Sequence, residues 1–356
     1  MQRILTWLQG RMADQQLVML LASLFIIFAL LLLLGDVLAP LLVAIALAYV
    51  LDDIIDLLNR CQVPRIVGIA VVVSGALLLV PVALLTILPL LTDQVGSLVA
   101  QAPQFVVSLK ESLQTLHANY ASWVNPDYLQ QMVASAANQV QEWGGRLLSF
   151  SIASIPELIT LLVYAVLVPV LVFFLLKDKE DIVQWAQRFL PQERSLLQRV
   201  WSEVDIQIGN YIRGKVWESV IVGVAMWLAY ELMGHDYALL LGTLTGISVW
   251  IPFVGAAIVT IPVILLSFFQ WGWSDMMFYG MLAYTLIQLV DANIIVPWIF
   301  SEMVSLHPIA IVVAVLVFGS LWGVLGVFIA IPMAALVQSV LTIIFERKAF
   351  SDTLPD

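Results

Sequence analysis

Long apolar runs, separated by short polar stretches, set the pattern of this chain. A helix that crosses a bilayer needs about 20 apolar residues, within a range of roughly 17–25. Residues 17–34 reach that length, and residues 37–51 form a shorter run joined to them by Gly35-Asp36. Residues 66–91 make a third run, in which Pro81 and Pro89 predict kinks, and residues 155–176 a fourth, with Pro169 inside it. From 216 to 345 the sequence is apolar almost without pause. The first run exceeds the apolar core of a secretory signal, about 7–15 residues, and so reads as a first transmembrane helix.

Between the third and fourth runs the period changes. Val95, Leu98, Ala102, Val106, Leu109, Leu113, Leu116 and Tyr120 recur at spacings of three and four, as do Leu129, Val133, Ala136, Val140, Trp143 and Leu147. That spacing predicts two amphipathic helices, separated at Asn125-Pro126. They either pack on each other or on the membrane surface, or they form a cap or subunit contact outside the bilayer.

Two stretches of the last apolar region are too long for one ordinary crossing. Residues 237–269 hold Gly242-x-x-x-Gly246, then Trp250, Pro252 and Gly255, and reach Pro262 through Thr260-Ile261. Residues 308–345 hold Gly319-x-x-x-Gly323, then Gly326, and reach Pro332 through Ala330-Ile331. Small residues at that spacing let helix backbones approach closely, and prolines interrupt the hydrogen-bond ladder. Each stretch is either a tilted, kinked helix or a pair of short helices turning back. Interrupted segments in corresponding halves of a chain point to the substrate pathway of secondary transporters.

Composition turns this pattern into a class. The chain has 356 residues, 62% hydrophobic and 11% charged, against about 45–50% and about 25% in soluble proteins. It reads as an all-α polytopic membrane protein with about seven or eight transmembrane helices, counting the two interrupted hairpins as possibly re-entrant segments. A net charge of −10 argues against nucleic acid as a partner, and the single cysteine, Cys61, excludes an internal disulfide. Residues 92–154 contain only Lys110 and Arg146, whereas residues 177–215 contain seven Lys and Arg. The positive-inside rule places the second stretch, and both termini, in the cytoplasm. The expected organisation is therefore helices one to three over 1–91, an extracytoplasmic region over 92–154, helix four over 155–176, a basic cytoplasmic region over 177–215, a core over 216–345 and a tail over 346–356.

Polar groups inside the apolar region are the candidate chemistry. Tyr284, Gln288 and Asp291 recur on one helix face, with Asn293 and the helix breaker Pro297 close behind. A carboxylate in a span is a functional hypothesis by default, as a proton relay, cation ligand or solute contact. The plainer alternative is a solvated residue at a boundary. Arg213, Lys215 and Glu218 form either a gating network or a surface ion network. Glu231, His235 and Asp236 offer a metal pair or, more plainly, a solvated loop. No Gly-x-x-x-x-Gly-Lys-Ser/Thr loop, His-Glu-x-x-His site or Gly-x-Ser-x-Gly elbow is present, so neither a nucleotide, a metal nor another cofactor is expected, and the chain does not read as an enzyme.

Six stretches in order, FFLLKDKE (173–180), NYIRGKV (210–216), IPFVGA (251–256), DANIIVP (291–297), LHP (306–308) and FGSLWGVLGVFIAIP (318–332), resemble the autoinducer-2 exporter family. The resemblance implies a bacterial inner-membrane protein assembled as a homo-oligomer such as a pentamer. It also implies export of a small polar solute, or exchange of sodium or lithium for protons. It supplies no substrate motif. The pathway residues expected here, Pro252, Gly255, Pro262, Tyr284, Gln288, Asp291, Asn293, Gly323, Gly326 and Pro332, rest on the breakers and buried polar groups alone. A non-transporting scaffold and a passive channel are the alternatives.

Overall fold

The structure, a computed structural model, describes residues 15–119, 135, 155–188, 195–252, 254–300 and 306–351. The second amphipathic helix expected over 129–147 lies outside these residues apart from position 135. Among the described residues all regular structure is helical. The elements are α1 (Gln15–Arg60), α2 (Arg65–Asn119), α3 (Ile155–Lys177), α4 (Lys179–Gln187), α5 (Ser195–Leu232), α6 (Ala238–Ser248), α7 (Val254–Trp271) and α8 (Asp275–Val290). A π-helical segment (Asp291–Ile295) then leads into α9 (Val296–Ile299), and α10 (Pro308–Ser351) closes the order. The protein is an all-α polytopic membrane protein.

The two runs read from the sequence at the start of the chain are two helical arms of α1 that meet at a kink at Leu34, whose dihedrals are non-helical, immediately before the Gly35-Asp36 break. The third run and the first amphipathic stretch merge into α2, a helix of 55 residues that passes through Pro81 and Pro89. Every residue from 77 to 90 is exposed on all faces. An apolar helix bare all round belongs in hydrocarbon rather than water. Beyond that stretch α2 docks: Leu91, Val95 and Leu98 pack on a core of Met226, Tyr230, Leu241, Val263 and Leu266.

The two interrupted stretches turn back. In the first, α6 has 11 residues, about 16 Å of helix, which cannot cross a hydrocarbon core of about 30 Å. The chain reverses between α6 and α7, and a Cβ built on Gly255 of α7 would lie 1.8 Å from the carbonyl oxygen of Ser248. In the second, Gly323 has φ +59°, a left-handed conformation natural only to glycine, and splits α10 into two arms. A Cβ on Gly326 would lie 1.8 Å from the carbonyl oxygen of Phe318. Backbone meets backbone at the same place in both hairpins, which is why glycine stands at both positions.

Helix α5 is the hub, touching α1, α6, α8, the π segment, α9 and α10. Its tightest partner is α6, where Gly242 and Gly246 face Gly223 and Trp227 at backbone distance. The small-xxx-small spacing read in the sequence thus serves the packing of the first hairpin against the hub. Replacing Gly255 by Ala forces the hairpin open, and overpacking of this kind costs about 1–3 kcal/mol or more. Gly75→Ala in α2 meets nothing within 4 Å and gains helix propensity. Thermal unfolding in detergent, followed by tryptophan fluorescence, is expected to fall clearly for Gly255→Ala and hold or rise for Gly75→Ala.

Candidate functional site

One stripe of α5 carries Tyr211, Lys215, Glu218 and Val222, all buried and recurring every three or four residues. Three of these four are polar. The Lys215 ammonium lies 2.8 Å and 3.0 Å from the two oxygens of Glu218 and 2.8 Å from the carbonyl oxygen of Val249. An ammonium has three donors, and these bonds use all of them. The Phe300 ring completes its surroundings, 5.3 Å from the nitrogen. With Lys215 only 6% and Glu218 only 2% exposed, the surface ion network considered from sequence gives way to a buried pair.

Val249 is where α6 ends, and a helix end leaves carbonyls without partners. Here each one finds a donor. Ser248 Oγ donates to Thr245, Ser219 Oγ to Gly246, Trp250 N–H to Ile247, Ile251 N–H to Ser248 and Lys215 to Val249. The lysine adds its charge to the negative end of the helix dipole. Pro252 lies in the following turn, accepting from Val254 N–H at 2.7 Å. At the other end of α6, Leu240 N–H donates to Gln94 of α2 and Tyr237 N–H to the His235 imidazole.

Asp291 approaches this pair from a different element, the π segment that packs on α5. It is 8% exposed, and its Oδ1 has no hydrogen-bond partner among the described residues. The solvated boundary position is thereby replaced by a buried one. It opens the π-helical segment, in which Val296 N–H reaches back to the Asp291 carbonyl. Such single-turn π segments recur at functional sites. Pro297, lacking an N–H, prevents the next regular bond. Asn293 is exposed and donates to the Leu289 carbonyl, so it repairs the backbone. Gln288, one turn before Asp291, is half-buried with its Nε2 unpartnered.

The remaining sequence candidates divide. Tyr284 does not reach the cluster: its hydroxyl bonds Thr260 Oγ1 at 2.8 Å and the Ala256 carbonyl at 3.2 Å, fastening α8 to α7. Pro262 sits within α7, and Pro332 is buried in the second arm of α10. Arg213 points away to Asp53 of α1 at 3.1 Å and to Asn210. Of the Glu231, His235, Asp236 group, only His235 is buried, enclosed by Tyr230, Trp271 and Tyr237, and no metal-binding group is found among the described residues. Sequence reasoning missed Tyr211, Gln94 and the Val249 carbonyl. A lysine and a glutamate three apart at the mouth of an apolar run were the available signal.

These features of a membrane core meet a clear likeness to known proteins. The profile of the family described as "AI-2E family transporter" matches residues 17–346. The chain belongs to this family. It is 38% identical over 343 residues to "Putative permease PerM" of Escherichia coli (strain K12), covering 96% of this chain and 97% of that one. It is 25% identical over 300 residues to "Putative transport protein YrrI" of Bacillus subtilis (strain 168), covering 84% of each chain. A third AI-2E-like relative, "Putative transport protein sll0063" of Synechocystis, is 26% identical over 313 residues, 86% of this chain and 78% of its own. The chain is therefore a membrane transporter in the general sense of its family.

Two predictions follow from the packing around α6. Removing one partner of a buried ion pair costs about 3–5 kcal/mol, whereas replacing both by apolar residues is often neutral. Lys215→Met is therefore expected to destabilise the protein by that order in denaturant titrations in mixed micelles, and Lys215→Met with Glu218→Leu to recover only part of it, since the Val249 carbonyl stays unpaired in both, at about 1–3 kcal/mol. Burial drives the His235 imidazole, in the turn before α6, down to about 4, against the opposing Asp236 charge. Unfolded histidine takes its proton near pH 6.5, so between about 6.5 and 4 the unfolded chain binds more protons. Thermal midpoints at pH 7, 6 and 5 should fall more steeply for the wild type than for His235→Phe.

Proposed function

We propose that this transporter is a secondary one, exporting a small polar solute such as autoinducer-2 or exchanging a monovalent cation for protons at the expense of an ion gradient. The observation that carries the reading is the burial of Lys215 and Glu218 at the broken end of α6, with Asp291 buried on the π segment that packs on the same helix, α5. Charges in a membrane core are expensive and mark ion or solute pathways. Glu218 takes the one ammonium and Asp291 is buried without an ion-pair partner among the described residues, so the site has an anionic excess that a proton or a cation can neutralise. Asp291, with a free oxygen, is the coupling residue, and Gln288 offers a neutral contact beside it. The two hairpins supply broken backbone, which at membrane depth is tolerated where protein or a polar cavity satisfies it.

The Lys and Arg distribution supports a bacterial inner-membrane location with both termini cytoplasmic. In that frame the bare apolar stretch of α2 faces lipid or further copies in a homo-oligomer. Proteoliposomes with an imposed proton or sodium gradient test the reading through flux of autoinducer-2, sodium and protons. Wild-type flux is expected to follow the gradient. Asp291→Asn is expected to weaken that dependence by about tenfold or more, the usual scale of an energetic coupling. Unaltered coupling in Asp291→Asn removes the residue from the mechanism, and wild-type vesicles without flux of any of the three remove the mechanism itself.

A further inference from the structure

The tips of the two hairpins meet through one pair of rings. Trp250, in the turn of the first hairpin, and Phe328, just past Gly326 in the second, have ring centroids 4.4 Å apart at an interplanar angle of 47°. We propose that this contact is the gate over the Lys215–Glu218–Asp291 cluster, closed in the present conformation and opened by separation of the hairpins. The proposal rests on the transport reading of that cluster and names the residues that control access to it.

Three observations support a gate rather than ordinary packing. First, each hairpin is internally stiff, because its arms touch backbone to backbone at Gly255 and Gly326. Each tip therefore moves as a unit. Second, although both hairpins also rest on α5, their tips are held by different contacts. The first is bonded to α5 through Lys215 and Ser219. The second packs by Phe318 and Trp322 on Phe28 of α1, where Trp322 also lies against Gly35. A ring pair adds only about 0.5–1.5 kcal/mol beyond its buried area, little enough to be broken and remade in a transport cycle. Third, Trp250 follows directly on Val249, whose carbonyl holds the Lys215 ammonium. A change of charge at Glu218 or Asp291 loosens or tightens that bond, and the indole is carried with it.

The test measures access to the cluster, with no need of a substrate. The sole cysteine is exposed and is replaced by Cys61→Ser. Gln288→Cys then serves as reporter, chosen because Gln288 shares a face with Asp291 and its Nε2 gives up no hydrogen bond when replaced. Full-length protein in vesicles is labelled with a small, charged, membrane-impermeant methanethiosulfonate. A gate that opens about 0.1–10% of the time predicts slow labelling that Trp250→Ala and Phe328→Ala each accelerate by about tenfold or more. Trp250→Phe and Phe328→Tyr, which keep the ring pair, should stay near the slow rate. If an alanine variant does not elute as a single species, Trp250→Leu replaces it, with the same acceleration expected. Labelling at one rate in all variants overturns the gate. Flux with gate-insensitive labelling sinks the gate alone, while gate-dependent labelling in vesicles without flux sinks the transport reading and leaves the barrier.

Discussion

A backbone carbonyl removed from water must find a donor, and the end of α6 is where this fold meets that demand. An unbroken transmembrane helix satisfies its carbonyls internally. Helix α6 stops after 11 residues, and the chain reverses against a neighbour instead of entering solvent. Its last carbonyls turn to the following turn and to two side chains of α5, Ser219 and Lys215. Once an ammonium is required there, a counter-charge is required too, and Glu218 supplies it from the same helix. The charge cluster is thus tied to the break. An apolar residue at 215 would leave the Val249 carbonyl bare.

The second hairpin faces the same reversal and handles it differently. Gly323 takes a left-handed conformation, Gly326 lets the returning arm touch Phe318, and Phe318, Trp322 and Phe28 surround the tip with aromatic carbon. No ion pair among the described residues lies there. The two hairpins share a shape and differ in chemistry, so the likeness seen in sequence is one of backbone geometry. Charge, and with it the capacity to respond to an ion, belongs to the first.

Much of this was legible from residue order. Gly255 and Gly326 stood out because glycine weakens helices, and their reason is a backbone contact that no side chain permits. Asp291 stood out because carboxylates are rare in apolar runs, and it is buried. Tyr284 was misleading in company with Gln288 and Asp291: a shared helical face did not prevent its hydroxyl from leaving toward α7. Lys215 and Glu218 read as either a gating or a surface network because local spacing cannot report which helix end lies opposite. Their partner, Val249, is 34 positions away and contributes a carbonyl, a group every residue possesses. Backbone partners of this kind leave no mark in a single sequence.

The same reasoning explains why the cluster and the rings belong to one apparatus. A fully bonded ammonium is rigid, and rigidity alone makes a poor transport site, since a cycle needs two states of similar free energy. The cluster has one bonded half and one free half: Lys215 uses every donor, whereas Asp291 keeps an unpartnered oxygen on a π segment that Pro297 prevents from regularising. Neutralising either carboxylate changes the balance at Lys215 and so the hold on Val249. The next residue along the chain is Trp250, and the only ring contact of Trp250 among the described residues crosses to the other hairpin. On the proposed reading, a binding event at Asp291 would reach the meeting point of the two hairpins through Lys215, and the strength of that path would be set by the hydrogen bond from Lys215 to the end of α6.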